Sequence, residues 1–193
     1  MYNGKKYYRK NLNASGHPFW LKEENFTGNI VLNGKMYSNL QLKYELHEQL
    51  FILTYRDYNG VLQSIILNNH SIDTVIIDKH VFIKNPYTDI NNEFIEQVYY
   101  DRYSAYISHS KEFFFQNVGV KTGHQYSEEI KKSFIITENK TYPFKNKKSF
   151  ISIFPVQFKK QIKQYISSNH IKIKSMEVNQ CVELAKFCNS IIQ

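Results

Sequence analysis

Seven glycines in 193 residues leave little material for a phosphate-cradling loop, and the chain contains none of the glycine-spaced fingerprints of nucleotide-binding folds. Cysteine is nearly absent: Cys181 and Cys188 are the only two. They fall seven apart in a segment of helical period, about 10 Å along the axis, beyond the roughly 4.4–6.8 Å that a disulfide spans. Two buried free thiols that do not bridge each other are the expectation, and the cysteine count leaves the compartment open. Tryptophan occurs once, at Trp20, and arginine three times, as Arg9, Arg56 and Arg102. So few guanidinium groups weigh against recognition by bidentate contacts to phosphates or base edges. No apolar run approaches the ~18 residues of a membrane-spanning helix. The polar start Met1-Tyr2-Asn3-Gly4-Lys5-Lys6 has no signal-peptide core and predicts a chain that is not exported.

Fifteen Tyr and fourteen Phe suit strands, and hydrophobic residues at 42% suffice for a real core. The organising stretch runs from Gly28 to Ile77. Asn33-Gly34 and Asn59-Gly60 separate alternating or continuously apolar runs, the strongest short-range hairpin signal. Leu40, Leu42, Tyr44 and Leu46 alternate with Gln41, Lys43 and Glu45, which places the second set outward. Val81–Ile83 extends this antiparallel meander, and 93–100 and 103–115 read as two longer strands. The stretch 116–127 reads as a mobile loop, and residues 132–145 form a last hairpin around Glu138-Asn139.

Beyond that point the period changes from two to 3.6. Ser149 is the expected cap of a short helical turn, Pro155 the first residue of a helix, and Ser175 the cap of a final helix to Ile192. Ile171 and Ile173 suggest an extended connector. The predicted architecture is α+β: an antiparallel β-meander of about eight to ten strands, twisted or rolled, followed by two C-terminal helices. It forms one domain over 1–193, with a β-rich body to 146 and a helical cap from 147.

Catalytic signatures fail one by one. His47-Glu48 opens like the zinc-protease motif, but Phe51 stands where the second imidazole belongs. Asp89 to Glu93 alternates oxygen ligands without the glycine or the closing acid of a calcium loop. No nucleophile elbow is present, and adjacent carboxylates such as Glu23-Glu24 and Glu128-Glu129 diverge on a strand. No catalytic, cofactor or metal residue is assigned, and the expectation is a non-enzyme without cofactor.

Charge is the feature that rises above background. The net value is +8, and residues 140–174 hold nine Lys and neither Asp nor Glu. Lys is cationic at neutral pH, so this segment is a single-sign field. Lys159, Lys160, Lys163, Lys172 and Lys174 are its candidate partner-facing residues. The ordinary alternatives are a solubilising helix face and codon bias, since Lys, Asn, Ile, Tyr and Phe all have A/T-rich codons. A second candidate is the aromatic cluster His17, Phe19 and Trp20, joined with Tyr7 and Tyr8. It reads either as a stacking platform for sugars or as a plug folding the N-terminal segment onto the sheet.

Several phrases together carry a resemblance. They are Asn3-Gly4-Lys5, Gly16-His17-Pro18-Phe19, Thr27-Gly28-Asn29-Ile30, Asn33-Gly34-Lys35-Met36-Tyr37, Asn39 to Glu45, Lys147-Lys148-Ser149-Phe150 and Asn169-His170-Ile171-Lys172. In order and spacing the chain resembles a family of uncharacterised exported bacterial envelope proteins with a β-rich body and a Lys-rich C-terminal helical tail. The resemblance implies that fold and a periplasmic or surface location, and it carries over no site residue. The polar start gives a cytoplasmic location as the alternative. The expected role is a non-catalytic binding or scaffolding protein of the envelope, its partner a protein or an anionic surface. Non-specific nucleic-acid binding through 140–174, and a hydrolase with a site gathered from dispersed residues, are the alternatives.

Overall fold

The computed structural model describes residues 4–118 and 121–192. The strands are β1 (Lys5–Lys6), β2 (Phe26–Leu32), β3 (Lys35–Glu45), β4 (Leu50–Arg56), β5 (Leu62–Ile66), β6 (Ile72–Ile77), β7 (His80–Lys84), β8 (Phe94–Tyr99), β9 (Ser104–Ser110), β10 (Phe113–Val118), β11 (Lys121–Tyr126), β12 (Ile130–Thr137) and β13 (Lys140–Phe144). The helices are α1 (Lys147–Ser152), α2 (Val156–Ser168) and α3 (Val178–Ile191). Among the described residues, eleven strands belong to one antiparallel sheet, and β10 and β11 form a second, two-stranded one. The chain is therefore α+β, as its patterning predicts.

Two compact units divide it. The first holds the chain up to Pro86, Asn91–Ile95 and His109–Lys131; the second holds Tyr87–Ile90, Glu96–Ser108 and everything from Lys132 on.

In the first unit the strand order is β1-β5-β4-β3-β2-β6-β7. Asn33 and Gly34 both take positive φ, +48° and +74°, the geometry of the two-residue turn whose twist matches that of the flanking strands. That turn sets the register Leu32↔Lys35. The meander is not strictly consecutive. After β5, which lies between β1 and β4, the chain passes through a short 3-10 turn at Asn69–Ser71 and returns to pair β6 with β2. Alternation reports which face a residue occupies and is silent on which neighbour its strand pairs with. Leu42, Phe51, Leu53, Val75, Ile77 and Phe82 build the core around Trp20 and Tyr44. Gly28 lies where β2 is flanked by β3 and β6; a Cβ there would stand 2.6 Å from the Ile76 carbonyl oxygen.

Two sequence expectations are corrected in this unit. The stretch 116–127 is not a loop: β10 and β11 form a hairpin in register Phe113↔Tyr126 and Phe115↔His124, with Gly119 outside the described residues. Its cross-strand aromatic pairs supply contacts that the polar composition hides. The expected single strand 103–115 accordingly breaks at Lys111-Glu112 into β9 and β10, which lie in different sheets.

In the second unit, β8 pairs with β9 (Gln97↔Tyr106) and β12 with β13 (Thr137↔Lys140). Phe144, Phe150, Phe154, Ile162, Ile166, Leu184 and Cys188 share its core. Among the described residues the α-helices number three rather than two, because Lys147–Ser152 forms its own. Its cap is Asn146, whose side chain accepts from the Ser149 N–H; Ser149 closes a capping box from inside the first turn. Pro155 and Glu177 are the caps of α2 and α3, so Ser175 is not a cap, and Ile173–Ser175 is a 3-10 turn rather than an extended connector. Asn189 on α3 accepts from the Tyr103 N–H at 2.9 Å and donates to the Tyr103 carbonyl at 3.0 Å, fixing the helix to the chain just before β9.

Candidate functional site

Helix α2 buries Ile162 and Ile166 and half-buries Phe158 and Tyr165, which turns the opposite side to solvent. Lys160 and Lys163 stand fully on that side, and Lys159 flanks it, half-buried. Lys172 and Lys174, beyond the C-terminal end of α2, are also exposed. Lys147 donates to the Ser167 hydroxyl at 2.7 Å, fastening α1 to α2. Among the described residues none of the nine lysines of 140–174 pairs with a carboxylate; the Lys186–Glu183 pair, at 3.0 Å, lies on α3. The five lysines singled out in the sequence thus stand around one helix and the turn that follows it. Four of the five are exposed, and Lys159 is half-buried.

The aromatic cluster separates into parts. Pro18, Phe19 and Trp20 are buried against the end of β3: the Trp20 N–H donates to the Tyr44 carbonyl, and the Leu46 N–H to that of Pro18, both at 2.8 Å. Trp20 is 2% exposed, its ring 4.9 Å from His80, 5.1 Å from Phe82 and 5.4 Å from Phe26. This is the packing of a plug. His17 is half-buried and stacks on Phe19. Burial, and then the nearby Lys111 ammonium, push its imidazole pKa down.

Tyr7 and Tyr8 do something else. With Asn11, Glu45, His47 and Tyr126 they line a cleft of about 260 Å³ whose rim carries Lys5, Lys6 and Lys10. One wall is the N-terminal segment, held to β5 by the Tyr7 N–H on the Ser64 carbonyl at 2.9 Å. The other wall is the β10–β11 hairpin, tied to Ser15 by two backbone hydrogen bonds of 3.0 Å. The floor is the turn between β3 and β4. Glu45 is the residue that sequence reasoning misplaces: its strand position points outward, yet it is only 3% exposed. Phe19 pairs with it through an antiparallel bridge, so the plug segment runs alongside the end of β3, and Tyr7, Tyr8, Pro18 and Tyr126 line the cleft around it. Its carboxylate accepts the His47 N–H at 3.1 Å and the Glu48 N–H at 2.9 Å. Burial raises the carboxyl pKa despite these two bonds. Burial, and then the Glu45 charge, raise the phenol of Tyr7 as well. Nothing local in the sequence marks Glu45, because the residues around it arrive from distant parts of the chain: Tyr7, Tyr8, Pro18, Phe19 and Tyr126.

His47 and Glu48, in the turn after β3, line the same cleft, and Glu48 takes a hydrogen bond from Lys10. The remaining chemistry-bearing residues lie apart. Cys181 and Cys188 are buried free thiols whose pKa burial pushes up to about 12. Deeper in the first unit His109, 2% exposed, holds Glu129 at 2.6 Å, and Lys131 reaches the same carboxylate at 3.3 Å. Among the described residues no three His, Cys, Asp or Glu side chains are gathered as a metal would need. Compared with known protein families, with curated proteins and with solved structures, the chain matches none of them.

Proposed function

We propose that the protein is a non-catalytic binding or scaffolding component of the bacterial cell envelope, engaging an anionic surface through Lys159, Lys160, Lys163, Lys172 and Lys174. The observation that carries this reading is the unneutralised charge around α2: nine lysines and no acid over residues 140–174. A helix face that only solubilises is ordinarily interspersed with both signs, and the single sign is what an anionic partner requires. The resemblance to exported envelope proteins supports the location.

Sedimentation with phospholipid vesicles tests it. The full chain is expected to bind vesicles rich in anionic headgroups and to ignore neutral ones, with binding falling as salt is added. Each lysine near such a surface contributes about 1 kcal/mol, so the triple reversal of Lys159, Lys160 and Lys163 to Glu weakens binding by about a hundredfold or more. Equal binding by the triple variant would sink the assignment of this face. Salt-steep binding of a single-stranded oligonucleotide, with none to anionic vesicles, would decide for the nucleic-acid alternative.

A further inference from the structure

The cleft in the first unit is not isolated. Tyr126, one of its lining residues, begins a row of rings along one face of the β10–β11 hairpin. Phe113 lies 4.9 Å from Tyr126, His124 stacks on Phe113 at 5.2 Å, and Phe115 meets His124 edge-on at 5.2 Å. His47, at the floor of the cleft, reaches Phe113 at 6.0 Å and Tyr126 at 5.9 Å. The row passes from buried Tyr126 to exposed His124 and to Phe115, 56% exposed. The hairpin thus spends large aromatic side chains on a solvent-facing strip instead of a core.

The polar groups at the inner end of the row identify what suits it. Each oxygen of the Glu45 carboxylate already accepts one backbone N–H and retains capacity for a second donor. Tyr7 lines the cleft, and its hydroxyl has no hydrogen-bond partner among the described residues; Asn11 offers an amide that both donates and accepts. Acceptors and donors at the closed end of an aromatic strip match a ligand with C–H faces and hydroxyl edges. Rim charges are mixed: Lys10 is engaged by Glu48, and Lys6 sits over the Tyr8 ring at 5.3 Å. A phosphate backbone would meet the carboxylates of Glu45 and Glu48.

We propose that this cleft and the strip Tyr126–Phe113–His124–Phe115 form a binding site for a neutral linear glycan. Pyranose rings lie along the hairpin, and a terminal or internal sugar is held by Glu45, Tyr7 and Asn11. The site is built from residues of the first unit alone, and the proposal does not depend on the lysine face.

The test uses the full chain with three neutral hexasaccharides: cellohexaose, maltohexaose and the N-acetylglucosamine hexamer. Binding is followed by ligand-observed NMR and calorimetry. At least one is expected to bind, with little dependence on salt. Phe115→Ala removes an exposed ring and is expected to weaken binding about threefold to tenfold. Tyr7→Phe removes only a hydroxyl and should have an effect of similar size. Both variants are expected to keep the wild-type melting temperature, which separates lost recognition from lost folding. Reversal of Lys159, Lys160 and Lys163 leaves glycan binding unchanged. Failure of all three sugars, binding indifferent to both cleft variants, or a single-stranded oligonucleotide that competes for the strip would each overturn the proposal.

Discussion

Replacing Trp20 decides between the two readings that its neighbourhood invites, a stacking platform and a core plug. The ring is 2% exposed and packed among Phe26, His80, Phe82 and, at 6.2 Å, His109. Truncating a large buried aromatic to Ala costs about 3–5 kcal/mol, the lost transfer energy plus a cavity that rigid neighbours do not close. Against a total stability of about 5–15 kcal/mol for a domain, that is a large fraction. With a urea slope of about 2 kcal/mol/M, Trp20→Ala lowers the unfolding midpoint of the first unit by about 1.5–2.5 M. Trp20→Phe behaves differently. The indole N–H is buried without an acceptor among the described residues, a cost of about 1–3 kcal/mol. Phe leaves a smaller void and removes that donor, so the two effects offset and the variant falls within about 1 kcal/mol of wild type. Far-UV circular dichroism across urea suits all three proteins, since both variants lack the only Trp. A midpoint shift below about 0.5 M for Trp20→Ala would refute the plug. Equal losses in both variants would refute the unsatisfied donor.

Three further outcomes follow from buried contacts. Asn189→Ala strips the Tyr103 N–H and carbonyl of their side-chain partner and should cost about 2–4 kcal/mol in the second unit, read from urea midpoints; under 0.5 kcal/mol would mean that water replaces the amide freely. Gly28→Ala drives a methyl into the Ile76 carbonyl oxygen at 2.6 Å, so β2 must shift, at a cost of about 1–3 kcal/mol; a melting temperature at or above wild type would contradict that contact. Burial acts to raise the Glu129 carboxyl, but the His109 hydrogen bond and charge, with Lys131, hold it below the ordinary range. A depressed folded-state value means that the unfolded chain binds more protons there, so this stability is present above the unfolded value of about 4.3 and is lost as pH falls through the folded one. Glu129→Gln should flatten that acid limb of the melting profile, and an unchanged limb would place the acid sensitivity elsewhere.

Local chemistry in the sequence was enough for the meander hairpins of the first unit, the two long helices α2 and α3 and the buried stripes. Asn33-Gly34 takes the two-residue turn that its residue types favour, and Cys181, Leu184, Ala185 and Cys188 share a helix side by spacing alone. The lysine field is likewise legible, because sign and density survive any fold. Pairing across distance is what the tertiary structure decided. Only there does β6 return to β2, and only there do the aromatics of 113–126 find each other across a hairpin. Glu45 shows the reason most plainly. Its strand period turns it to the outside, yet Phe19, twenty-six residues earlier, pairs alongside it and Glu45 is buried. Periodicity records the face a side chain takes on its own element, whereas burial depends on what another part of the chain lays over it.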